Sequence, residues 1–240
     1  MEIPYWMSRT QLLLGDESVH KLMNSNVLVV GLGGVGGICA EMIARAGVGK
    51  MTIIDADTVD ASNRNRQIPA LSSTEKKIKA EVLAQRLLDI NPELKLTVFT
   101  FFVNDENTDG ILQKGQFDFA CDCIDTLSAK VNFIRKCLSN KLPFVSSMGA
   151  GGKVDPTRLQ IGDISETKND YLAKYVRKYL KEYGIRSGFQ CVFSHELPDK
   201  TKVITTEKAK PKKSIIGTIS YMPAIFGCAC ASVAIRELVK

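Results

Sequence analysis

Asn26 to Asp57 reads NVLVVGLGGVGGICAEMIARAGVGKMTIIDAD, and this stretch decides the fold. The apolar run Val27 to Val30 has the length and β-branched content of a buried strand. It meets the turn Gly31-Leu32-Gly33-Gly34-Val35-Gly36, after which the sequence takes up a helical pattern through Arg45. A second β-branched run, Met51 to Ile54, ends on Asp55, about twenty residues past the glycines. Strand, glycine turn, helix, strand and acid in that order read as a nucleotide-binding βαβ unit. Gly31 serves the tight turn, Gly33 the close approach of backbone to phosphate, and Gly36 the packing of helix on strand. The helix N-terminus then presents free N–H groups and a positive dipole end to an anion. Asp55 stands where such a unit places its ribose ligand.

The 240 residues are 45% hydrophobic and 24% charged, a soluble globular balance, and with no linker dividing the chain they are read as one domain with insertions. The net charge of +6 is unevenly spread and favours a polyanionic partner without identifying it. The seven cysteines, Cys39, Cys121, Cys123, Cys137, Cys191, Cys228 and Cys230, contain no C-x-x-C pair. His195 follows Cys191 by four residues, but no second pair completes a tetrahedral zinc site. Thiols in apolar runs and an N-terminus without a signal-peptide pattern place the chain in the reducing cytoplasm. The run 215–235 carries no charge and is long enough to span a bilayer. Pro223 near its middle reads instead as the break between a strand and a buried helix, so a membrane anchor is not expected.

Residues 1–25 are expected to be a helical segment, with two short helices over Arg9 to Met23. After Asp55, the loop from Asp57 through Asn63 and Arg66 is too polar for a core and too rich in arginine for a plain turn. Leaving the carboxyl end of a strand, it would bring its cations to a polyphosphate. The next helix is expected from an N-cap at about Thr74 to Ile90, with Lys79 at the border of the stripe Ala80, Leu83, Leu87 and Ile90. Strands follow over Leu94 to Phe102, Phe117 to Ile124 and Pro143 to Met148, with helices over Asn104 to Lys114 and Leu127 to Asn140. Asp125 closes the second of these strands, where it either caps the following helix or holds Mg²⁺ beside a triphosphate. Lys153 to Thr157 and Leu159 to Ile164 read as an antiparallel pair joined near Pro156, at which the parallel half ends. The expected fold is α/β, a Rossmann-like, mostly parallel sheet flanked by helices, with antiparallel strands added in the C-terminal half.

A basic insertion spans 165–213. Its helix, Asn169 to Tyr183, sets Tyr171, Tyr175 and Tyr179 at i, i+4 and i+8 among Lys174, Arg177, Lys178 and Lys181, and six lysines follow between Lys200 and Lys213. Tyrosines that pack and lysines in water are one reading; a nucleic-acid backbone with bases stacked on the tyrosines is the other. Cys191, between these basic elements, is either a buried packing residue or a thiol near the active edge.

Taken together, Gly31 to Gly36, Asp55, Asp57, Asn63, Arg66, Lys79 and Asp125 resemble the ATP site of the ThiF/MoeB superfamily, the adenylating relatives of ubiquitin-activating enzymes. The resemblance implies that Asp55 binds the ribose, that Asn63, Arg66 and Lys79 hold the phosphates, and that Asp125 serves Mg-ATP. It also implies a homodimer in which Arg9, in R-x-Q-L-L-L-G, enters the partner's ATP site. Within the superfamily, Gly149-Ala150-Gly151-Gly152, Asp155-Pro156-Thr157 and Cys191-Val192-Phe193-Ser194 resemble the tRNA threonylcarbamoyladenosine dehydratase branch. That branch uses ATP to cyclise the threonylcarbamoyl group on the adenosine next to the anticodon, in some members with a cysteine desulfurase and its sulfur acceptor as partners.

Three other classes compete. An adenylating enzyme acting on the Gly-Gly tail of a carrier protein is disfavoured by the missing zinc cysteines and the basic surface. A nicotinamide-dependent oxidoreductase shares the glycine turn but would face too much positive charge from the arginine loop and Lys79. A non-catalytic nucleotide-binding module would have no use for Asp125.

Overall fold

The computed structural model describes residues 2–199, 201, 203–205 and 214–240, so the six lysines between Lys200 and Lys213 lie outside the described residues. Ser8–Leu14 (α1) and Asp16–Asn24 (α2) precede Asn26–Val30 (β1), Gly36–Arg45 (α3) and Lys50–Ile54 (β2). Lys79–Ile90 (α4), Lys95–Phe99 (β3), Asp105–Gly115 (α5), Phe119–Asp122 (β4), Leu127–Ser139 (α6) and Phe144–Ser147 (β5) follow. Leu159–Asp163 (β6), Tyr171–Glu182 (α7), Gln190–Ser194 (β7), the short pair Val203–Thr205 (β8) and Ser214–Ile216 (β9), and Tyr221–Leu238 (α8) complete the chain.

The main sheet runs β3-β2-β1-β4-β5-β7-β6, parallel throughout except for β6, which pairs antiparallel with β7. Successive residues of β1 point to opposite faces. Val27 and Val29 enter a core with α3, α4 and α8, while Leu28 and Val30 enter a second core with α5, α6 and α7. Burial on both faces is why this strand reads as a continuous apolar run. From β1 the chain winds outward through β2 and β3, then returns to the far side of β1 as β4. That reversal opens a crevice at the carboxyl ends of β1 and β4, where open α/β sheets bind ligands.

Three expectations are corrected. The fourth helix starts at Lys79, not at Thr74; Ser72–Thr74 is a single 3₁₀ turn, and Lys76 has a φ of 67°. The reason is pairing across the loop: the Val59 N–H donates to Lys77 O at 2.8 Å and the Lys79 N–H to Asp57 O at 3.0 Å, closing the arginine loop at its stem. Lys153 to Thr157 is not a strand, because the Val154 and Asp155 N–H groups both donate to the Glu196 carboxylate. The antiparallel partner of β6 is β7, and since β7 lies parallel to β5, the parallel part continues past β5. Pro223 does not break a strand from a helix; it is the third residue of α8, where a missing N–H costs nothing. Among the described residues α8 is the one helix long and apolar enough to cross a membrane. It packs chiefly along α3, with Met222, Phe226, Cys230 and Val233 buried, as a core helix does.

Candidate active site

Gly31 leaves β1 with a φ of 84°, and its N–H donates to Ile54 O. A Cβ at Gly31 would lie 2.8 Å from Cys123 O, and one at Gly36 only 1.7 Å from Gly31 O, so the turn closes only with glycine at both positions. Gly34 lies against Pro223 and the Arg66 carbonyl. Gly33 differs: a Cβ there would meet nothing nearer than Gln67 Nε2 at 3.7 Å. Its outer side is open, and beside it the buried Gln67 Oε1 has no hydrogen-bond partner among the described residues. No side chain caps α3; the Gly37 and Cys39 N–H groups already donate to Gly33 O and Val35 O, so what this end holds out to an anion is the positive end of the helix dipole.

Asp55 directly follows β2, with both carboxylate oxygens accepting backbone N–H groups, from Leu32 at 2.6 Å and from Asp57 at 2.8 Å. The acid therefore ties the glycine turn to β2, and each oxygen keeps a lone pair for a ribose hydroxyl. Burial pushes its pKa up, against the pull of those two bonds and of Lys79. Lys79 Nζ lies 3.0 Å from Asp57 Oδ2, with the lysine side chain 6% exposed and the aspartate 49%. The border lysine of the helical stripe is thus a buried cation, held at the strand end by a half-exposed carboxylate.

The arginine loop is preorganised. Asp60 caps a 3₁₀ turn over Ala61–Asn63, and the Asn63 side-chain carbonyl accepts from Asp60 N, which leaves its amide N–H₂ for a ligand. Arg66 Nη1 donates to Ser62 O and to Asn65 Oδ1, and Asn65 Nδ2 donates to Thr218 O at 2.9 Å. The Gly152 N–H donates to Gly217 O, so the segment before α8 joins the arginine loop to the second glycine turn, Gly149 to Gly152.

Asp125 is exposed after β4, one residue before the N-cap Thr126 of α6, so it is not itself the capping residue. Among the described residues no group of three acids, histidines or cysteines is placed to hold a metal ion. Asp125 offers hard carboxylate oxygens, the ligand type a divalent cation takes.

Arg9 is not brought to this site. Its neighbour Met7 packs against Gly47, beyond the C-terminal end of α3, and ten residues of helix put that end about 15 Å from the glycine turn. Cys191 is buried in β7, with Sγ 3.5 Å from Gly162 O, and burial pushes the thiol's pKa well up. Those are the properties of a packing residue.

Sequence reasoning missed two buried ion pairs. Lys130 Nζ lies 2.8 Å from Asp122 Oδ2, both side chains fully buried, with Ser146 Oγ donating to the same oxygen. The other Asp122 oxygen accepts the Ile124 N–H, which shapes the turn carrying Asp125. Lys153 Nζ lies 2.6 Å from Asp170 Oδ2, and Asp170 also accepts the Gly149 N–H and the Ala173 N–H at the start of α7. A charge inside the apolar run FACDC was a visible signal, since a buried carboxylate needs a partner.

A glycine turn open at Gly33, an acid just past a strand end and a buried lysine at a sheet's switch point make a site of the kind in which open α/β domains bind nucleotides. The chain belongs to the ThiF family, whose profile matches residues 7–240. It is 38% identical over 240 residues to the tRNA threonylcarbamoyladenosine dehydratase of Bacillus subtilis (strain 168), covering 97% of this chain and 94% of that one. The structure of Escherichia coli tRNA N6-threonylcarbamoyladenosine dehydratase in complex with ATP aligns with a TM-score of 0.88 at 35% identity, over 99% of this chain and 97% of that one. The sulfur carrier protein ThiS adenylyltransferase of Escherichia coli (strain K12) is 32% identical over 149 residues, 60% of this chain and 59% of that one.

Proposed function

We propose that this chain is an ATP-dependent enzyme that dehydrates N6-threonylcarbamoyladenosine in tRNA, closing the threonylcarbamoyl group into a ring through an acyl-adenylate. The observation that carries the reading is the meeting of the open Gly33 turn, the buried Lys79 and the exposed Asp125 on one edge of the sheet, in a chain alike over nearly its whole length to dehydratases. A carboxylate is a poor electrophile. Its oxygen attacks the α-phosphorus of ATP, the bond from that phosphorus to the bridging oxygen breaks, and pyrophosphate leaves. Lys79, Arg66 and Asn63 hold the phosphates and offset the charge that builds there. Mg²⁺ held by Asp125 would supply further charge neutralisation. The tethered carbamoyl group then attacks the activated carbonyl and expels AMP, a step favoured by proximity. These steps require no protein thiol, so buried Cys191 is given no part in them.

The test incubates the protein with ATP, Mg²⁺ and tRNA bearing threonylcarbamoyladenosine, then weighs the digested nucleosides. Loss of one water from that nucleoside, dependent on ATP and abolished by Asp125→Ala, is expected. No mass change, with AMP formed only when a Gly-Gly carrier protein is added, would move the substrate to the carrier-protein reading.

A homodimer accounts for the N-terminal segment. Leu12 and Leu13 are 89% and 82% exposed on α1, apolar surface that a second copy would cover, and Arg9 on the same helix is too far from its own site to act there. Arg9→Ala and Asp125→Ala chains should each be inactive alone. Mixed in equal amounts and allowed to exchange, they should recover about a quarter of wild-type activity, because half the dimers then hold one intact site. Recovery of nothing would place Arg9 elsewhere. The seven free thiols suit the reducing cytoplasm.

A further inference from the structure

α7 buries one face and leaves an aromatic and basic one in water. Ala173, Val176 and Leu180 pack inward, whereas Tyr171, Tyr175 and Tyr179 are 38%, 47% and 39% exposed, with Lys174, Lys178 and Lys181 exposed among them. Three tyrosines at i, i+4 and i+8 lie on one side of the helix, each about 6 Å along the axis from the last. Lys178 Nζ lies 5.8 Å from the Tyr179 ring centroid, and Arg135 of α6 stacks at 3.6 Å on Tyr183 just past the helix end. Each tyrosine thus has more than half its surface covered by the protein and the rest turned to water, so packing and an open aromatic face coexist.

The start of α7 is fixed to the active edge. Asp170, its N-cap, is held by buried Lys153 and accepts the Gly149 N–H from the turn that follows β5, the strand next to the one ending before Asp125. The exposed face thus begins beside the site and runs away from it. Aromatic faces stack on unpaired bases of any identity, and lysines between them neutralise phosphates; the pairing of the two is what a single-stranded or looped nucleic acid requires. A polyanion complements these cations, whereas an apolar or neutral protein surface would leave them without partners.

We propose that this outer face of α7 docks the anticodon arm of the substrate tRNA, with loop bases on Tyr171, Tyr175 and Tyr179 and backbone phosphates on Lys174 and Lys178. The proposal rests on the tRNA-modifying reading of the active site. Its test uses the full chain, an anticodon stem-loop RNA and two double variants of exposed residues, Lys174→Gln/Lys178→Gln and Tyr175→Ala/Tyr179→Ala. Fluorescence anisotropy across a salt series should show the lysine variant binding RNA at least tenfold more weakly, with the slope of log affinity against log salt reduced by about 1.5 for two lost phosphate contacts. The tyrosine variant should weaken binding by about tenfold or more with the slope unchanged. ATP binding should be unaltered in both. RNA binding within twofold of wild type in either variant overturns the proposal, as does a change in oligomeric state in place of the loss of RNA binding. Wild-type protein that neither binds nor dehydrates tRNA would instead sink the functional reading itself.

Discussion

Lys79→Met should lower the single-turnover rate of AMP formation on threonylcarbamoyladenosine tRNA by roughly 10²- to 10³-fold, the usual cost of removing a preorganised charge from a developing transition state. Its side chain is 6% exposed and its ammonium is held by Asp57 before any ligand arrives, so little reorganisation is needed when phosphate charge builds. Methionine keeps most of the aliphatic volume and removes only the charge. Asp57 is half exposed and can be hydrated once its partner is gone, so the melting temperature should move by only a few degrees, in line with a pair worth about 1 kcal/mol or less. The combination discriminates. A large fall in rate with an intact fold marks Lys79 as part of the chemistry, whereas a rate within threefold of wild type would reduce it to a strut for the loop stem. ATP affinity, measured by calorimetry, should fall less than the rate, because the charge to be countered is greatest as pyrophosphate departs.

The parts of this site legible in the sequence are those built from neighbours in the chain. The glycine turn, α3 and Asp55 lie within one βαβ unit, and there spacing alone fixes geometry. The apolar stripe placed Lys79 at a helix border, but its setting was not legible: the helix start depends on Asp57 and Val59 pairing back across the arginine loop, and no local pattern reports that. The segment from Lys153 failed for the same reason, since Glu196, more than forty residues on, takes the N–H groups a strand would have used. Arg9 could be matched to a motif, yet only the packing of Met7 on Gly47 shows that its segment lies at the far end of α3 from the glycine turn. The ion pair of Asp122 and Lys130 brings together β4, β5 and α6 through Ser146, and such a junction exists only once the sheet has formed.

That junction sets the largest expected effect on stability. Lys130→Met should destabilise the fold by about 3–5 kcal/mol, since it strips the counter-charge from a carboxylate that has no access to water. Against a typical total of about 5–15 kcal/mol, this is enough to unfold a large fraction of the protein on mild heating. Burial already pushes the Asp122 pKa up in the intact protein, where Lys130, Ser146 and the Ile124 N–H all act to lower it. Without the lysine it must rise further. A carboxyl group whose folded pKa exceeds its unfolded value contributes stability below the unfolded pKa and loses it as pH rises through the folded one. The deficit of Lys130→Met should therefore be small in acid and grow toward neutral pH. Adding Asp122→Asn, which removes the charge and keeps the acceptor for Ile124, should recover much of the loss at neutral pH. Urea denaturation at several pH values reads both effects, and a single variant within 1 kcal/mol of wild type at neutral pH would show that Asp122 is not carrying a charge. The functional consequence follows from the same bonds: Asp122 shapes the turn that presents Asp125, so any Lys130→Met protein that remains folded should also adenylate more slowly.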